Sequence, residues 1–391
     1  MFSQTKEANF ELYTHLNGLS NSHVNCISQD SKGFMWFGTD YGLNKFDGFN
    51  FTTYNNNPHD RTSLPSDEVS ALYLDKRGFL WVGTYNGLAK FDHYTEKFQN
   101  YFINEDSIHY YKPVRALVGD ESGKIWVGTS GNGVMVIDAN TGTYPKELNA
   151  ILAAKIGNEY VYALALDSHN NLWIGTEGNG IEVFNIKTFD VKTYNTRNSA
   201  LRSNWILAIF EDSKENIWIG TRGGGLSVFN AKKNEFISNL HIESIEDEIY
   251  SFAQGRDSSL WIGTNYGGLI TYNYKNQQFS KHTTYAAENN FKGKRIRALF
   301  SDKDGNIWLG IHQLGISLMK NYNYPFRQSN IRLPDEIQAN KISILGILID
   351  SQQNLWIGTD GNGLVKYNLR TQQYKIYLPQ KIILTPCPIM L

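Results

Sequence analysis

NNLWIGTEGNGIEVFN, residues 170–185, contains a pattern that returns along the whole chain. Within it, Trp173 lies two residues before Gly175, and Thr176 follows the glycine. The Trp-x-Gly pattern occurs at eight tryptophans spaced 43–48 residues apart: Trp36, Trp81, Trp126, Trp173, Trp218, Trp261, Trp308 and Trp356. A phosphate-binding loop would occur once, whereas a repeat of this length with strand-like content is typical of β-propeller blades.

Each repeat reads as four short strands. The innermost strand has a small residue at one fixed position: Cys26, Ala71, Ala116, Ala163, Ala208, Ser251, Ala298 and Gly346. A polar turn such as Asp75 to Gly78 follows, then the tryptophan strand, a third strand ending in an aromatic residue with Asp or Asn, and a Phe/Tyr-rich fourth strand. The sequence therefore predicts an all-β propeller with four-stranded blades.

The ends of the repeat array indicate how the ring closes. Phe10 to Tyr13 matches the fourth-strand pattern without three strands before it, and repeat seven departs most from the others. Pairing this first segment with the last blade would leave no open sheet edge. We therefore predict a seven-bladed propeller over residues 1–322. Residues 323–391 would be an eighth repeat that starts a second, incomplete propeller, with an orphan strand from Phe326, and a tail. A single eight-bladed ring is the alternative.

Composition excludes several classes of partner. The formal net charge is −1 and charged residues make up 19% of the chain, so it has no basic stripe for a nucleic acid. No apolar run approaches the ~18 residues of a membrane helix, so we expect no membrane contact by this chain. The two cysteines, Cys26 and Cys387, give no disulfide framework. The first residues, MFSQTKEANF, lack the apolar core of a secretory signal, which fits a cytosolic protein or a mature region.

The variable loop positions are the candidate ligand contacts. In a propeller, the loops between second and third strands emerge on the same side as the starts of the inner strands, and variable loop residues commonly bind ligands. Aromatic rings there can stack on sugar rings, and charged groups can hydrogen-bond to hydroxyls. The alternative is that they are ordinary exposed loop residues. The predicted ligand-binding set is Tyr41, Tyr85, Tyr160, Glu177, Trp205, Arg222, Tyr266, Arg295 and His312.

No motif points to a catalytic, cofactor or metal site. DKDGN, residues 302–306, resembles the start of a calcium loop but has Ile307 and Gln313 where an EF-hand needs Gly and Glu. GNGIEV, from Gly178, lacks the third glycine of a dinucleotide fingerprint. The nine histidines form no HxxxH pair. We expect a chain without cofactor, resident metal or catalytic residues.

The repeats resemble those of the regulator propellers in the periplasmic sensor regions of hybrid two-component histidine kinases. The resemblance lies in GLSNSHVNCISQDSKGFMWFGTDYGLNKFDG, residues 18–48, and in the repeated units around NLWIGTEGNG. It implies a periplasmic sensor without enzymatic activity, which binds an oligosaccharide and signals to a kinase outside this chain, and which can form a homodimer.

Two other functions stay open at this stage. Some bacterial lyases are propellers, and a lyase or hydrolase would gather His and Glu side chains at the centre of one face. His23, Glu68, Glu248 and His312 are the residues to inspect. The other alternative is a scaffold for protein interaction.

Overall fold

The structure is a computed structural model that describes residues 10–101, 113–237, 248–256, 258–282, 293–320, 343–360, 363–368, 371 and 373–378. Its contacts divide the chain into two compact units, Met1–Tyr322 and Asn323–Leu391. The predicted boundary at residues 322 and 323, the predicted strand from Phe326 and Cys387 all lie outside the described residues.

The described strands form eight antiparallel sheets, which we number as blades 1–8 in chain order. A first strand, β1 (Phe10–Tyr13), precedes blade 1 and is followed by a 3-10 turn, His15–Asn17. From the innermost strand outward, blades 1–4 contain β2 (Val24–Gln29), β3 (Met35–Thr39), β4 (Gly42–Phe46) and β5 (Phe51–Tyr54); β6 (Val69–Leu74), β7 (Leu80–Thr84), β8 (Gly87–Asp92) and β9 (Lys97–Tyr101); β10 (Val114–Gly119), β11 (Lys124–Thr129) and β12 (Val134–Asp138), followed by helix α1 (Lys146–Lys155); and β13 (Val161–Leu166), β14 (Asn171–Thr176), β15 (Ile181–Asn185) and β16 (Val191–Tyr194).

The remaining blades follow the same order. They contain β17 (Ile206–Glu211), β18 (Asn216–Thr221), β19 (Leu226–Asn230) and β20 (Glu235–Phe236); β21 (Ile249–Gln254), β22 (Leu260–Thr264), β23 (Leu269–Asn273) and β24 (Gln278–His282); β25 (Ile296–Ser301), β26 (Ile307–Ile311) and β27 (Gly315–Met319); and β28 (Ile344–Ile349), β29 (Asn354–Thr359), β30 (Leu364–Asn368) and β31 (Tyr374–Tyr377). The all-β class and the repeated antiparallel sheets predicted from the sequence are confirmed.

In the first unit, neighbouring inner strands contact one another in chain order from β2 to β25, and β25 contacts β2. The glycine two residues after each repeat tryptophan makes this approach possible. A Cβ atom on Gly175 would lie 2.6 Å from Cγ2 of Ile206 in the next blade, and one on Gly310 would lie 3.0 Å from Val24 of blade 1. A larger residue at these positions would push neighbouring blades apart.

β1 supplies the outer strand of blade 7. It pairs antiparallel with β27, with Phe10 opposite Met319 and Tyr13 opposite Ile316. The ring of Tyr13 lies 5.2 Å from that of Phe46 in blade 1. Gly315, with φ +103°, begins β27 where a Cβ atom would lie 2.4 Å from the carbonyl oxygen of Tyr13, so this turn needs glycine.

A buried carboxylate fixes most of the repeat tryptophans. In seven repeats, an aspartate six residues before the tryptophan accepts a hydrogen bond from its Nε1–H at 2.6–3.1 Å. The same carboxylate accepts backbone N–H bonds from the turn, as Asp167 does from His169 and Asn171. Blade 6 has Gly255 in place of the aspartate, and its Trp261 stacks on His282 at 4.9 Å. In these seven repeats the aspartate of the turn therefore links the turn to the blade core.

Blade 3 departs from the four-strand prediction. It has three strands, and α1 packs against β12 through Leu152. The helix forms because residues 146–155, KELNAILAAK, consist mainly of strong helix formers. The side chain of Asn149 takes the place of a strand: its Oδ1 accepts from Val136 N–H and its Nδ2 donates to Val136 C=O, both at 2.9 Å.

The second unit, as far as it is described, is the sheet of blade 8. Leu355, Ile357, Val365 and Tyr367 form its small apolar cluster. Its Trp356 donates to Asp350 at 2.9 Å, as in the other repeats. The proposal that this sheet begins a second propeller stays a prediction.

Candidate functional site

A repeated backbone hydrogen bond places two variable side chains together in every blade of the first unit. The residue after the second strand donates its N–H to the carbonyl of the residue just before the inner strand, at 2.9–3.3 Å. The donor and acceptor pairs are Asp40–His23, Tyr85–Glu68, Ser130–Pro113, Glu177–Tyr160, Arg222–Trp205, Asn265–Glu248 and His312–Arg295. We call the surface formed by these fourteen residues the loop face.

Two of the predicted contacts lie one residue away from this framework. The positions that pair with His23 and Glu248 are Asp40 and Asn265, whereas the sequence prediction named Tyr41 and Tyr266. The Tyr41 side chain is 57% exposed and that of Tyr266 is 66% exposed. The two tyrosines are each the second residue after the second strand, one position beyond the residue whose N–H makes the repeated hydrogen bond.

Trp205 and its neighbours form the aromatic part of the loop face. The Trp205 side chain is 39% exposed, and the guanidinium of Arg222 lies 5.2 Å from its ring centroid. Glu177 pairs with Trp205 through a backbone bridge, and Tyr160 is exposed beside Glu177. The structure thus brings four of the predicted residues, from blades 4 and 5, onto one continuous surface.

Glu248 joins blades 5 and 6. Its carboxylate accepts from Arg222 Nε at 3.2 Å, from the Tyr250 hydroxyl at 2.8 Å and from Asn265 Nδ2 at 3.0 Å. Burial, and then the hydrogen bond to Glu248, raise the pKa of Tyr250, so its hydroxyl stays a donor at neutral pH. Of these partners, sequence reasoning had singled out Arg222 as a ligand contact.

Two arginines follow in blade 7. The guanidinium carbons of Arg295 and Arg297 lie 5.5 Å and 5.8 Å from the ring centroid of Tyr250, and Arg295 Nε donates to Asn265 Oδ1. Among the residues that the structure describes, no carboxylate lies within 4.0 Å of either guanidinium. This part of the loop face is therefore rich in cationic donors.

Two histidines lie at the junction of blades 7 and 1 and complete a line of contacts on this side of the molecule. We call this line the arc; it runs from Trp205 through Arg222, Glu248, Tyr250, Asn265, Arg295 and Arg297 to His312, His23 and Asp40. The rings of His23 and His312 stack with centroids 4.1 Å apart, and His23 Nδ1 lies 2.7 Å from Asp40 Oδ2. Asn25 donates to the other Asp40 oxygen at 2.8 Å. Burial, followed by the nearby charges of His23, Arg295 and Arg297, lowers the pKa of His312, so its ring is neutral at pH 7.

The rest of the loop face has a separate group of contacts. Arg115 donates to Ser130 Oγ at 3.3 Å and lies 3.9 Å from the carboxylate of Glu68. Its guanidinium is 5.8 Å from the ring of Tyr162. Tyr85, whose backbone pairs with Glu68, lies in this group and outside the arc from Trp205 to Asp40.

The residues that the sequence prediction missed share one position. Asn25, Arg115, Tyr162, Tyr250 and Arg297 are each the second residue of an inner strand. Each of them directly follows the buried Val or Ile that begins its inner strand, so a large polar or charged side chain at that position is a usable signal. The prediction from the sequence used the small residue next to it and assigned the inner strand to the core.

Two clefts lie at the other end of the blades. One, of about 370 Å³, is lined by Asp167, Trp173, Lys192 and Phe229 among others, and one of about 230 Å³ by Asp75, Arg77 and Asp120 among others. The carboxylate of Asp167 is already bonded to Trp173, Asn171 and His169. Because hydrogen bonds within the chain occupy these groups, the loop face is the better candidate site.

Neither metal nor membrane chemistry is indicated by the described residues. No group of three or more His, Cys, Asp or Glu side chains there could hold a metal ion. Within the same residues, no helix has the length and apolar character needed to cross a membrane.

Comparison with known proteins assigns the repeats. Six segments match the family described as two component regulator propeller: residues 18–41, 63–86, 155–178, 200–223, 290–313 and 337–361. The chain contains two component regulator propeller repeats. In histidine kinase P4 of Formosa agariphila, a 55-residue stretch is 53% identical, which covers 14% of this chain and 4% of the kinase.

The solved structures agree with the regulator propeller assignment. The extracellular domain of a hybrid two component system from B. thetaiotaomicron is 28% identical with a TM-score of 0.68, over 95% of this chain and 49% of that domain. This chain therefore spans about half the length of that relative. Virginiamycin B lyase from Staphylococcus aureus has the same fold, with 16% identity and a TM-score of 0.58, over 80% of this chain and 100% of the lyase.

Proposed function

We propose that this chain is the ligand-sensing part of a hybrid two-component histidine kinase, located in the periplasm, and that it binds an oligosaccharide on the loop face. The kinase would lie outside this chain, and the chain itself would have no enzymatic activity. The observation that carries the proposal is the contact arc from Trp205 through Glu248 and Arg295 to Asp40, in a chain with regulator propeller repeats.

The chemistry of this arc suits a saccharide. Trp205 offers part of a large ring for stacking on the C–H face of a sugar, and the arginines and histidines offer donors to hydroxyl oxygens. The polar groups converge from four successive blades around the ring, 5, 6, 7 and 1. An oligosaccharide of several sugar units could contact all of these groups at once, whereas a monosaccharide could not.

Signalling then requires that the ligand prefer one arrangement of the sensor over another. Binding can shift such an equilibrium only by the difference between its affinities for the two arrangements. A ligand that bridges blades 5 to 1 would favour the arrangement in which these blades present the arc intact. The homodimer expected from the family resemblance stays a prediction, which sedimentation of the chain at micromolar concentration would test.

Calorimetric titration with a panel of oligosaccharides tests the proposal, with Trp205→Ala as the first variant. The exposed 39% of the side chain corresponds to about 100 Å². At ~25 cal/mol per Å², full contact with a sugar is worth about 2.5 kcal/mol, so the dissociation constant should rise about sixtyfold. Phe49→Ala is the matched control, because Phe49 is an exposed aromatic residue in the turn between β4 and β5, at the other end of its blade.

The outcomes separate the alternatives. A binding loss in Trp205→Ala with unchanged binding in Phe49→Ala supports the loop-face site. Equal losses in both variants, or no binding by any saccharide, would contradict it. Chromatography of the saccharides after incubation with the chain detects cleavage, which would instead favour an enzyme that uses His23 and His312.

A further inference from the structure

The charges in the arc are not balanced by the residues that form it. Arg222 forms an ion pair with Glu248 at 3.2 Å, and Arg115 forms one with Glu68 at 3.9 Å. Asp40 is held by His23 and Asn25. Arg295 and Arg297 have no carboxylate partner within 4.0 Å among the described residues. Across blades 5, 6, 7 and 1, the arc therefore contains three arginines, Arg222, Arg295 and Arg297, and the two carboxylates of Glu248 and Asp40.

In the part of the chain that the structure describes, neutral partners hold the guanidinium groups of Arg295 and Arg297 in place. Both lie over or beside the ring of Tyr250, and Arg295 is also bonded to the amide oxygen of Asn265. The Tyr250 hydroxyl donates to Glu248, which fixes the ring that both guanidinium groups contact. Arginine held in this way presents its planar set of N–H donors to a carboxylate or sulfate with little loss of entropy.

His312 adds a donor at the same place. Its Nδ1 atom is buried and has no hydrogen-bond partner among the described residues. The proton of the neutral ring is therefore expected on Nε2, since Nδ1–H would be a buried donor without an acceptor. The backbone of His312 is bonded to Arg295, which keeps the ring next to the arginines.

We propose that the saccharide bound at the loop face carries an anionic group, a carboxylate or a sulfate ester, and that Arg295, Arg297 and His312 bind this group. The inference rests on the proposed function for its saccharide part, whereas the anion site follows from the side chains alone. The predicted ligands are therefore acidic oligosaccharides, which should bind more tightly than neutral ones. The neutral part of the ligand would then extend toward Arg222 and Trp205.

The first experiment uses three saccharides of one length with the full chain: trigalacturonic acid, a sulfated galactose trisaccharide and neutral galactotriose. We expect at least one acidic trisaccharide to bind ten times or more tighter than the neutral one, and its binding to weaken at higher salt. Comparing the affinities for trigalacturonic acid and the sulfated trisaccharide shows whether the site prefers a carboxylate or a sulfate ester. Equal or tighter binding of the neutral sugar would overturn the anion site while leaving the proposed function in place.

The second experiment compares Arg297→Gln with Arg197→Gln. Arg197 lies in an exposed turn outside the arc, so this control removes the same charge without touching the site. Arg297→Gln should weaken the acidic trisaccharide about tenfold or more, as expected for a charge-assisted pair, and should leave galactotriose unchanged. Equal affinities in the two variants would contradict the assignment. Urea unfolding of each variant shows whether the fold is intact.

Inorganic sulfate provides a probe that does not depend on the saccharide. Titration with sodium sulfate at constant ionic strength should show saturable binding, which Arg297→Gln weakens and Arg197→Gln does not. Sulfate binding without any saccharide binding would preserve the anion site and reject the proposed function. If sulfate does not bind and the acidic trisaccharides gain nothing over the neutral one, the anion site is wrong.

Discussion

Replacing Asp212 by alanine should destabilise the first unit more than the same change in other repeats. The Asp212 carboxylate accepts from Trp218 Nε1 at 2.6 Å, as in the other repeats, and also from the Tyr274 hydroxyl of the next blade at 2.7 Å. Trp218 Nε1 would be left without this acceptor in the interior, and the half-buried Tyr274 hydroxyl would lose it as well. At ~1–3 kcal/mol for each unpaired buried donor, we expect a loss of about 4 kcal/mol in the free energy of unfolding.

Asp120→Ala is the matched comparison. Asp120 accepts from Trp126 at 3.1 Å and from the same kind of turn, but the corresponding residue of the next blade, Ile186, has no hydroxyl. One buried donor is then lost instead of two, so the expected loss is about 2 kcal/mol. Both losses are measured from urea midpoints followed by tryptophan fluorescence, with the slope of the transition checked for each variant.

A double-mutant cycle with Tyr274→Phe decides whether the tyrosine explains the difference. Burial, and then the bond to Asp212, raise the pKa of Tyr274, so the hydroxyl is a donor throughout the assay. We expect a coupling energy of about 1–2 kcal/mol between the two positions. Strictly additive losses, or equal destabilisation by Asp212→Ala and Asp120→Ala, would refute the reasoning.

Three further predictions concern closure, pH and the buried thiol. Deleting residues 1–13 removes β1 and leaves β27 as an open edge, so the urea midpoint should fall sharply. Glu11→Gln removes an exposed ion pair with Lys320 and keeps an amide oxygen that can accept from the Tyr13 hydroxyl, so it should leave the midpoint nearly unchanged. Burial lowers the pKa values of His282 and His312, so the contribution of these two histidines to stability is fully present above pH 6.5 and is lost as the pH drops from 6.5 through their folded pKa values. Urea midpoints measured between pH 8 and pH 5 test this, and His282→Gln should reduce the fall. Burial raises the pKa of Cys26 to about 12, so in a Cys387→Ser chain a thiol reagent should modify Cys26 in urea but not in the native state at pH 7.5; rapid native labelling of that chain would contradict the packing of β2.

The propeller class could be predicted from the sequence, but the packing role of the repeated glycine and the presence of helix α1 could not. The Trp-x-Gly period was visible because identical side chains recur at identical spacing. The reason for the glycine was not visible, since it depends on Ile206 or Val24 of a neighbouring blade approaching within about 3 Å. Helix α1 was missed because repeat periodicity was given more weight than the helix propensity of residues 146–155.

The candidate site shows the same division at the level of single residues. Trp205, Arg222, Arg295 and His312 could be selected because they vary at positions that a propeller exposes on one side. Arg297 and Tyr250 could not be ranked in this way, because their importance lies in contacts between strands 45 or more residues apart in the chain. The repeated backbone hydrogen bonds pair Asp40 and Asn265 with the inner-strand entries, one residue before the predicted Tyr41 and Tyr266, which spacing in the sequence did not show.

The sequence by itself determined the repeated sheet, because strand periodicity, turn residues and the buried tryptophans act within about 45 residues. It also supplied the pattern by which the family is matched. Only the tertiary structure decided which side chains share a surface: it stacked His23 on His312 across 289 residues of chain, and among the described residues it brought no carboxylate within 4.0 Å of Arg295 or Arg297. The physical reason is that charge balance and ring contact depend on distances in space, which sequence spacing does not specify.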